Sequence, residues 1–210
     1  MPIQKCLFFL RSLFRRTSEA NIVTKKKIIF IHNPKAAGNT LMEILGIKLK
    51  KGESTSHQTP TYLVNKKKWE TYFSILAVRH PIDRLISAYN YHTKPSYQGY
   101  FLSKYPELHS FTFEQYFNVF SKEPNTIMPQ VEYTRHLMSS KKVDFIIRYE
   151  NLQEDVDRLC DTLNMEKYPL PHLNKSPKKQ IDYFENESLK ERVLNYYKED
   201  FEYFNYSKEF

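Results

Sequence analysis

The chain has 210 residues, with 32 Lys and Arg against 24 Asp and Glu and a formal net charge of +8. With 40% hydrophobic and 27% charged residues, 4 Gly and 11 Pro, it is long enough to bury a core and excludes collagen, low-complexity disorder and repeat arrays. Two cysteines are too few for a disulfide framework or a cysteine-built zinc site, so a reducing, cytoplasmic setting is expected.

Charge is unevenly spread. Met1 to Lys68 carries 14 Lys and Arg against 3 Glu, whereas the remainder carries 18 against 21. A basic first third suggests an anionic partner, the plain alternative being solvated lysine runs at 25–27 and 66–68. No stretch reaches the roughly 18–20 apolar residues that a membrane span needs. Residues 1–23 read as a basic N-terminal arm, frayed or weakly interfacial, with Leu7, Phe8, Leu10, Leu13 and Phe14 among Lys5, Arg11, Arg15 and Arg16. Membrane contact is therefore expected to be at most peripheral, through that arm. Residues 24–210 read as one domain.

Ile28 to Ile31 is a continuous β-branched and aromatic run of strand length, the pattern of a buried parallel strand. The loop HNPKAAGNT follows, and Leu41, Ile44 and Leu45 then fall at helical spacing until Gly46 ends the helix. A helix capped by Thr59, with Pro60 in its first turn, is expected to run towards Trp69. Ile75 to Val78 reads as a second buried strand, and Pro81 opens a helix with Ile82, Leu85, Ile86 and Tyr89 on one face. Residues 91–110 show mixed turn signals and read as an irregular insertion. Thr112 and Gln115 form a capping box for a helix with Phe113, Tyr116, Phe117 and Phe120 on its buried side. Val143 to Ile147 reads as the third buried strand. Asn151 and Glu154 are expected to cap the next helix, and a last helix runs from about Ser188 to Phe201. Strands alternating with helices predict an α/β fold, a parallel β-sheet flanked by helices, with ligands at the carboxyl ends of the strands.

Both sharp loops sit at those ends. In the first, Lys35, Ala36, Ala37, Gly38, Asn39 and Thr40 lead into a helix N-terminus, whose free N–H groups and positive dipole end suit phosphate or sulfate; an ordinary turn with a solvated lysine is the alternative. It is not a Walker loop, because Lys35 precedes Gly38 instead of standing directly before a Ser or Thr that holds Mg²⁺. In the second, Arg79 closes the strand, and Ser87 leans back from the following helix so that both can meet one anion. Arg84 is expected to be structural.

HNPKAAGNT together with RHPIDRLISAY resembles the two cofactor motifs of sulfotransferases that use 3′-phosphoadenosine 5′-phosphosulfate, especially the carbohydrate, family-2-like branch. The resemblance continues through DFIIRYENL, LPHLNKS and YKEDFEYFNY and spans nearly everything after Thr24. It implies a P-loop nucleotide-hydrolase-like fold, with the 5′-phosphosulfate gripped by Lys35 to Thr40 and the 3′-phosphate by Arg79 and Ser87. The usual first motif is close to HIPKTGGTS, so Asn33, Ala36, Ala37 and Asn39 are departures.

Sulfuryl transfer needs a positive group at the leaving phosphate and a base for the acceptor hydroxyl. Lys35 is the candidate for the first and His57 for the second, with Glu53 and His92 as fallback bases; the other histidines read as surface or packing residues. No metal is needed in principle, and none is expected. Tyr91, Tyr97 and Tyr100 are candidates for a glycan acceptor site, Gln130 and Tyr133 for weaker acceptor contacts, and Lys175 and Ser176 for closing over the nucleotide. The competing readings are a P-loop-type ATP-dependent kinase and a noncatalytic binder of polyanions. Nucleic acid is not the expected partner.

Overall fold

The computed structural model describes residues 21–49, 56–123, 125–167, 169–170, 183–184 and 186–209. Its sheet has the order β1 (Ile22–Val23), β2 (Ile28–Ile31), β3 (Phe73–Val78) and β4 (Phe145–Arg148). β2, β3 and β4 are parallel, with Ile31 beside Leu76 and Leu76 beside Ile146. β1 adds an antiparallel edge through Ile22–Ile29 and Val23–Ile28, a pairing that strand–helix alternation does not signal.

Alternation along the strands sends residues to opposite faces. Ile28, Phe30, Ile75, Ala77 and Ile147 pack against α1 (Gly38–Ile44) and α7 (Leu152–Leu163). Ile29, Ile31, Leu76 and Val78 meet Leu63, Trp69, Val131 and Tyr133 on the other face. Both faces are thus covered, which is why β2 and β3 read as unbroken apolar runs. β4 is buried only at Ile147, as suits an edge strand, and it starts two residues later than expected.

Beside the sheet, α4 (Pro81–Thr93) packs with α5 (Tyr100–Lys104), α6 (Phe113–Phe120), α8 (Glu187–Tyr196) and α9 (Lys198–Phe204) around an aromatic core. The expected irregular stretch at 91–110 is therefore mostly ordered: α4 continues to Thr93, and α5 and a 3₁₀ turn at Leu108–Ser110 follow. The capping box of α6 is formed on both sides, with Thr112 Oγ1 accepting from Gln115 N–H and Gln115 Oε1 from Thr112 N–H.

Three other boundaries differ from expectation. The helix from Thr59 breaks into α2 (Pro60–Leu63) and α3 (Lys66–Thr71), because Val64 is extended and Asn65 caps a new helix by accepting from Lys68 N–H. Asn151 makes no side-chain cap; the carboxylate of Asp155, inside α7, instead accepts from Arg148 N–H. The last helix divides at Tyr197, whose buried hydroxyl donates to Ile127 C=O, and then continues to Phe204.

A buried polar cluster joins these layers. Asp200, fully buried on α9, accepts from Gln130 N–H at 2.8 Å and Val131 N–H at 2.9 Å. Burial pushes its carboxyl above the ordinary value, while Arg84 and the N–H donors pull it back. Arg84, 1% exposed, donates to Met128 C=O, Ile127 C=O and Asn33 Oδ1, which confirms its structural role. Removing one partner from such a cluster leaves uncompensated charge in the interior. Asp200→Ala is expected to lower the unfolding free energy by about 3 kcal/mol, and Asp200→Asn by less, in urea titrations followed by circular dichroism.

Candidate anion site with a paired histidine

The first loop leaves β2 at Ile31 and turns through residues 32–37 into α1. Lys35 (φ +66°) and Ala37 (φ +62°) both lie in the left-handed region, at a cost of roughly 1–2 kcal/mol for each side chain that bears a Cβ. The motif HIPKTGGTS that this loop resembles has glycine at the position of Ala37, where a left-handed φ carries no Cβ penalty. At Gly38 the constraint is close approach: an added Cβ would lie 1.8 Å from His32 Nε2. The His32 ring thus occupies the space beneath the start of α1. It is 6% exposed, its Nδ1 has no partner, and burial beside His57 lowers its pKa to about 3, so it is neutral.

The second loop leaves β3 at Val78. Arg79 stacks its guanidinium on Tyr149 at 4.2 Å, and its Nε is buried without a partner. Gln130 ties the two loops together. Its Oε1 accepts from Asn33 Nδ2 at 2.8 Å and from Arg79 N–H at 3.0 Å, while its Nε2 donates to Arg79 C=O at 2.7 Å. Asn33 Nδ2 also donates to Ala77 C=O. Gln130 and Tyr133, expected as acceptor contacts, are instead fully buried framework residues, because both side chains are consumed inside the protein. Asn33 departs from the family's usual motif, and its amide is the piece that meets Gln130.

Lys35 feels the charges of both Arg79 and Lys94, and none of the three pairs with a carboxylate among the described residues. Lys35 Nζ lies 4.1 Å from the Tyr91 ring centre and Lys94 Nζ 4.6 Å from it. Partial burial, then Arg79, then Lys94 lower the Lys35 pKa to about 8. An anion placed there would relieve this repulsion. Ser87 lies one turn before Tyr91 on the same face of α4.

His57 enters from the segment before α2. Asn21 holds that segment to β2: its amide donates to Phe30 C=O and Ser56 C=O, and its Oδ1 accepts from Ser56 N–H. The His57 ring meets His32 edge-on at 4.4 Å, and its Nδ1 lies 3.1 Å from His32 C=O. A carbonyl only accepts, so Nδ1 carries the hydrogen and Nε2 keeps the lone pair. Burial lowers the His57 pKa, the carbonyl bond opposes this, and Lys35 lowers it further. A neutral imidazole with a free Nε2 beside a cation has the form of a general base.

The remaining candidates separate clearly. His92 is buried, bonded through Nδ1 to the Tyr116 hydroxyl at 2.7 Å and shifted down to about 4, first by burial and then by Lys35 and His57. It lies near the cluster but packs in the aromatic core. His80, His109 and His136 are each held by backbone carbonyls of Ser207, Tyr97 and Val64. Tyr97 is 7% exposed and belongs to the core instead of lining a sugar site, whereas Tyr91 and Tyr100 are 43% and 71% exposed. Glu53, His172, Lys175, Ser176 and residues 1–20 lie outside the described residues. Asn33, Lys94 and Tyr149 join the site without having been sequence candidates. Tyr149, in DFIIRYENL, carries the only available hint, an aromatic at the end of a strand next to the Arg79 strand.

Parallel strands thus present two linked cationic loops at their carboxyl ends, with the neutral His57 imidazole near Lys35. The family model described as Sulfotransferase family matches residues 18–207, and the chain belongs to that family. Its α/β architecture is a sulfotransferase fold. No match is found among curated proteins or solved structures.

Neighbouring substitutions in the first loop are expected to have opposite signs. Gly38→Ala drives a methyl into His32 and destabilises by about 2 kcal/mol or more, whereas Ala37→Gly relieves the left-handed strain and stabilises by about 0.5–1 kcal/mol. Thermal melts of both variants check this.

Proposed function

We propose that the protein transfers a sulfuryl group from 3′-phosphoadenosine 5′-phosphosulfate to a hydroxyl group, with carbohydrate as the acceptor class. Membership of the sulfotransferase family supports the reaction type. The observation that carries the donor assignment is the Gln130 bridge, which couples two uncompensated cations on separate loops. A nucleotide with anionic groups at both its 3′ and 5′ ends fits that charge pattern, and the buried, unpartnered Arg79 Nε fits a donor role towards one of them.

In this reading the first-turn N–H groups of Gly38, Asn39 and Thr40, with Lys35, hold the 5′ end, and Arg79 with Ser87 holds the 3′-phosphate. When bound, the donor supplies an activated sulfuryl group attached to a phosphate leaving group. Lys35 neutralises the charge that grows on that phosphate as the sulfur–oxygen bond breaks. His57 Nε2 takes the acceptor hydroxyl's proton as oxygen attacks sulfur, and His32 C=O, holding Nδ1–H, stabilises the resulting imidazolium. Nothing in this sequence of events calls for a metal. The exposed Tyr91 ring beside Lys35 offers a face for a sugar.

Transfer of labelled sulfate to a panel of glycans tests the reaction. His57→Ala is expected to cut kcat by about a hundredfold or more while leaving nucleotide binding intact. Unchanged kcat in that variant rejects His57 as base, and absence of transfer to any hydroxyl acceptor rejects the function.

Calorimetric titration tests the nucleotide site. Adenosine 3′,5′-bisphosphate is expected to bind at least tenfold tighter than adenosine 5′-phosphate, with Arg79→Ala removing most of the difference. The Lys35 ammonium is present below about pH 8 and lost above it, so bisphosphate affinity is expected to fall as pH rises through that value. In Lys35→Arg the inflection disappears, because guanidinium stays charged. Equal binding of both nucleotides, as in a kinase-like site, contradicts the assignment.

A further inference from the structure

The lysine runs lie away from the site just described, and beside one of them the chain exposes an apolar tip. Arg135 and Lys142 form an isolated antiparallel bridge, closing a hairpin-like loop whose end carries Leu137 and Met138, 63% and 56% exposed. They are the only adjacent pair among the exposed large hydrophobic side chains of the described residues. The loop is held firmly behind that tip. Leu137 N–H donates to Thr61 Oγ1, Met138 N–H to His136 Nδ1, and the other ring nitrogen of His136 to Val64 C=O. Ser139 donates to Glu70, Lys141 Nζ to the carbonyls of Trp69 and Tyr72, and Trp69 Nε1 to Lys141 C=O. Two aliphatic side chains are thus presented to solvent by a rigid base, with no loop ordering left to oppose their burial in a partner.

Around this tip the charge is basic. Lys66 and Lys67 are exposed on α3, which braces the loop, and Lys142 is exposed at its base. Lys25, Lys26 and Lys27 are exposed in the turn whose Lys27 C=O accepts from Phe73 N–H, two residues beyond the end of α3. The acids nearby are already engaged: Glu70 with Lys66 and Ser139, Glu132 with Arg135, and Asp144 with Lys141 and Ser74. Lysines that skirt exposed aliphatic side chains match a surface that is anionic outside and apolar just beneath. A nucleic acid would use the lysines and leave Leu137 and Met138 in water.

We propose that the Arg135–Lys142 loop, with the lysines of α3 and of the turn before β2, docks the protein onto an anionic lipid surface. The docking surface is separate from the donor site, so it stands whatever reaction the enzyme performs.

Co-sedimentation of the full chain with vesicles tests this. Binding is expected on vesicles of about one-third phosphatidylserine and not on phosphatidylcholine alone, and it is expected to weaken with salt. Leu137→Ser/Met138→Ser and Lys67→Glu/Lys142→Glu are each expected to weaken binding about tenfold, with bisphosphate binding and the melting temperature unchanged. A Met138→Trp probe is expected to shift its emission to the blue on anionic vesicles only. Absence of vesicle binding by the wild-type chain overturns the proposal. So does binding unaffected by the Leu137/Met138 pair, the result expected if the N-terminal arm or bulk charge does the work. Retention on a polyanion such as heparin that is equally strong in wild type and in the Leu137/Met138 variant, without vesicle binding, assigns the lysines to a nucleic acid or acidic chain instead.

Discussion

One side chain holds the functional end of this molecule together. Gln130 reaches both loops at once, taking Asn33 and Arg79 N–H on its oxygen and giving its own N–H to Arg79 C=O. Its backbone is in turn fixed by Asp200, and the adjoining strand exit is fixed by Arg84 through Asn33. Because Gln130, Asn33, Asp200 and Arg84 are buried and joined by these bonds, small displacements of either loop would strand polar groups in the interior. Two cations that repel one another are thereby kept at a set separation, with the cost met by the surrounding network. This is preorganisation in its simplest form: the unfavourable approach of Lys35 to Arg79 and Lys94 is settled during folding, and an anion placed there would relieve it.

The same logic governs the first loop. Left-handed Lys35 and Ala37 aim the turn, and neutral His32 fills the room that Gly38 leaves open. The backbone carbonyl of His32 then selects the His57 tautomer. A single residue therefore shapes the first loop with its ring and sets the His57 tautomer with its main chain. His57 is thus oriented from a distant segment, tethered by Asn21, with no carboxylate partner among the described residues.

Features encoded by neighbours along the chain are legible in the sequence. The apolar run of Ile28–Ile31, the helical spacing of Ile82, Leu85 and Tyr89, and the Thr112–Gln115 box each act within one or two turns, and each forms as expected. Lys35 and Arg79 approach for an equally readable reason, since a parallel sheet brings the loops after its strands to one end, whereas His57 is brought there by the Asn21 tether. The buried framework is not legible. Gln130 and Asp200 are 70 residues apart, and nothing local distinguishes a glutamine that bridges two loops from one that greets a substrate. Helix breaks at Val64 and Tyr197 escape the sequence for a related reason: apolar periodicity continues across them, and only tertiary packing of Tyr197 and recapping by Asn65 reveal the interruption.

The most direct measurement is a crystal structure of the protein with adenosine 3′,5′-bisphosphate. The 5′-phosphate is expected against residues 35–40 and the 3′-phosphate on the Arg79 guanidinium, with the Asn33–Gln130–Arg79 bonds unchanged. A nucleotide bound elsewhere, or one that engages only one of the two loops while Gln130 swings away, would contradict this arrangement.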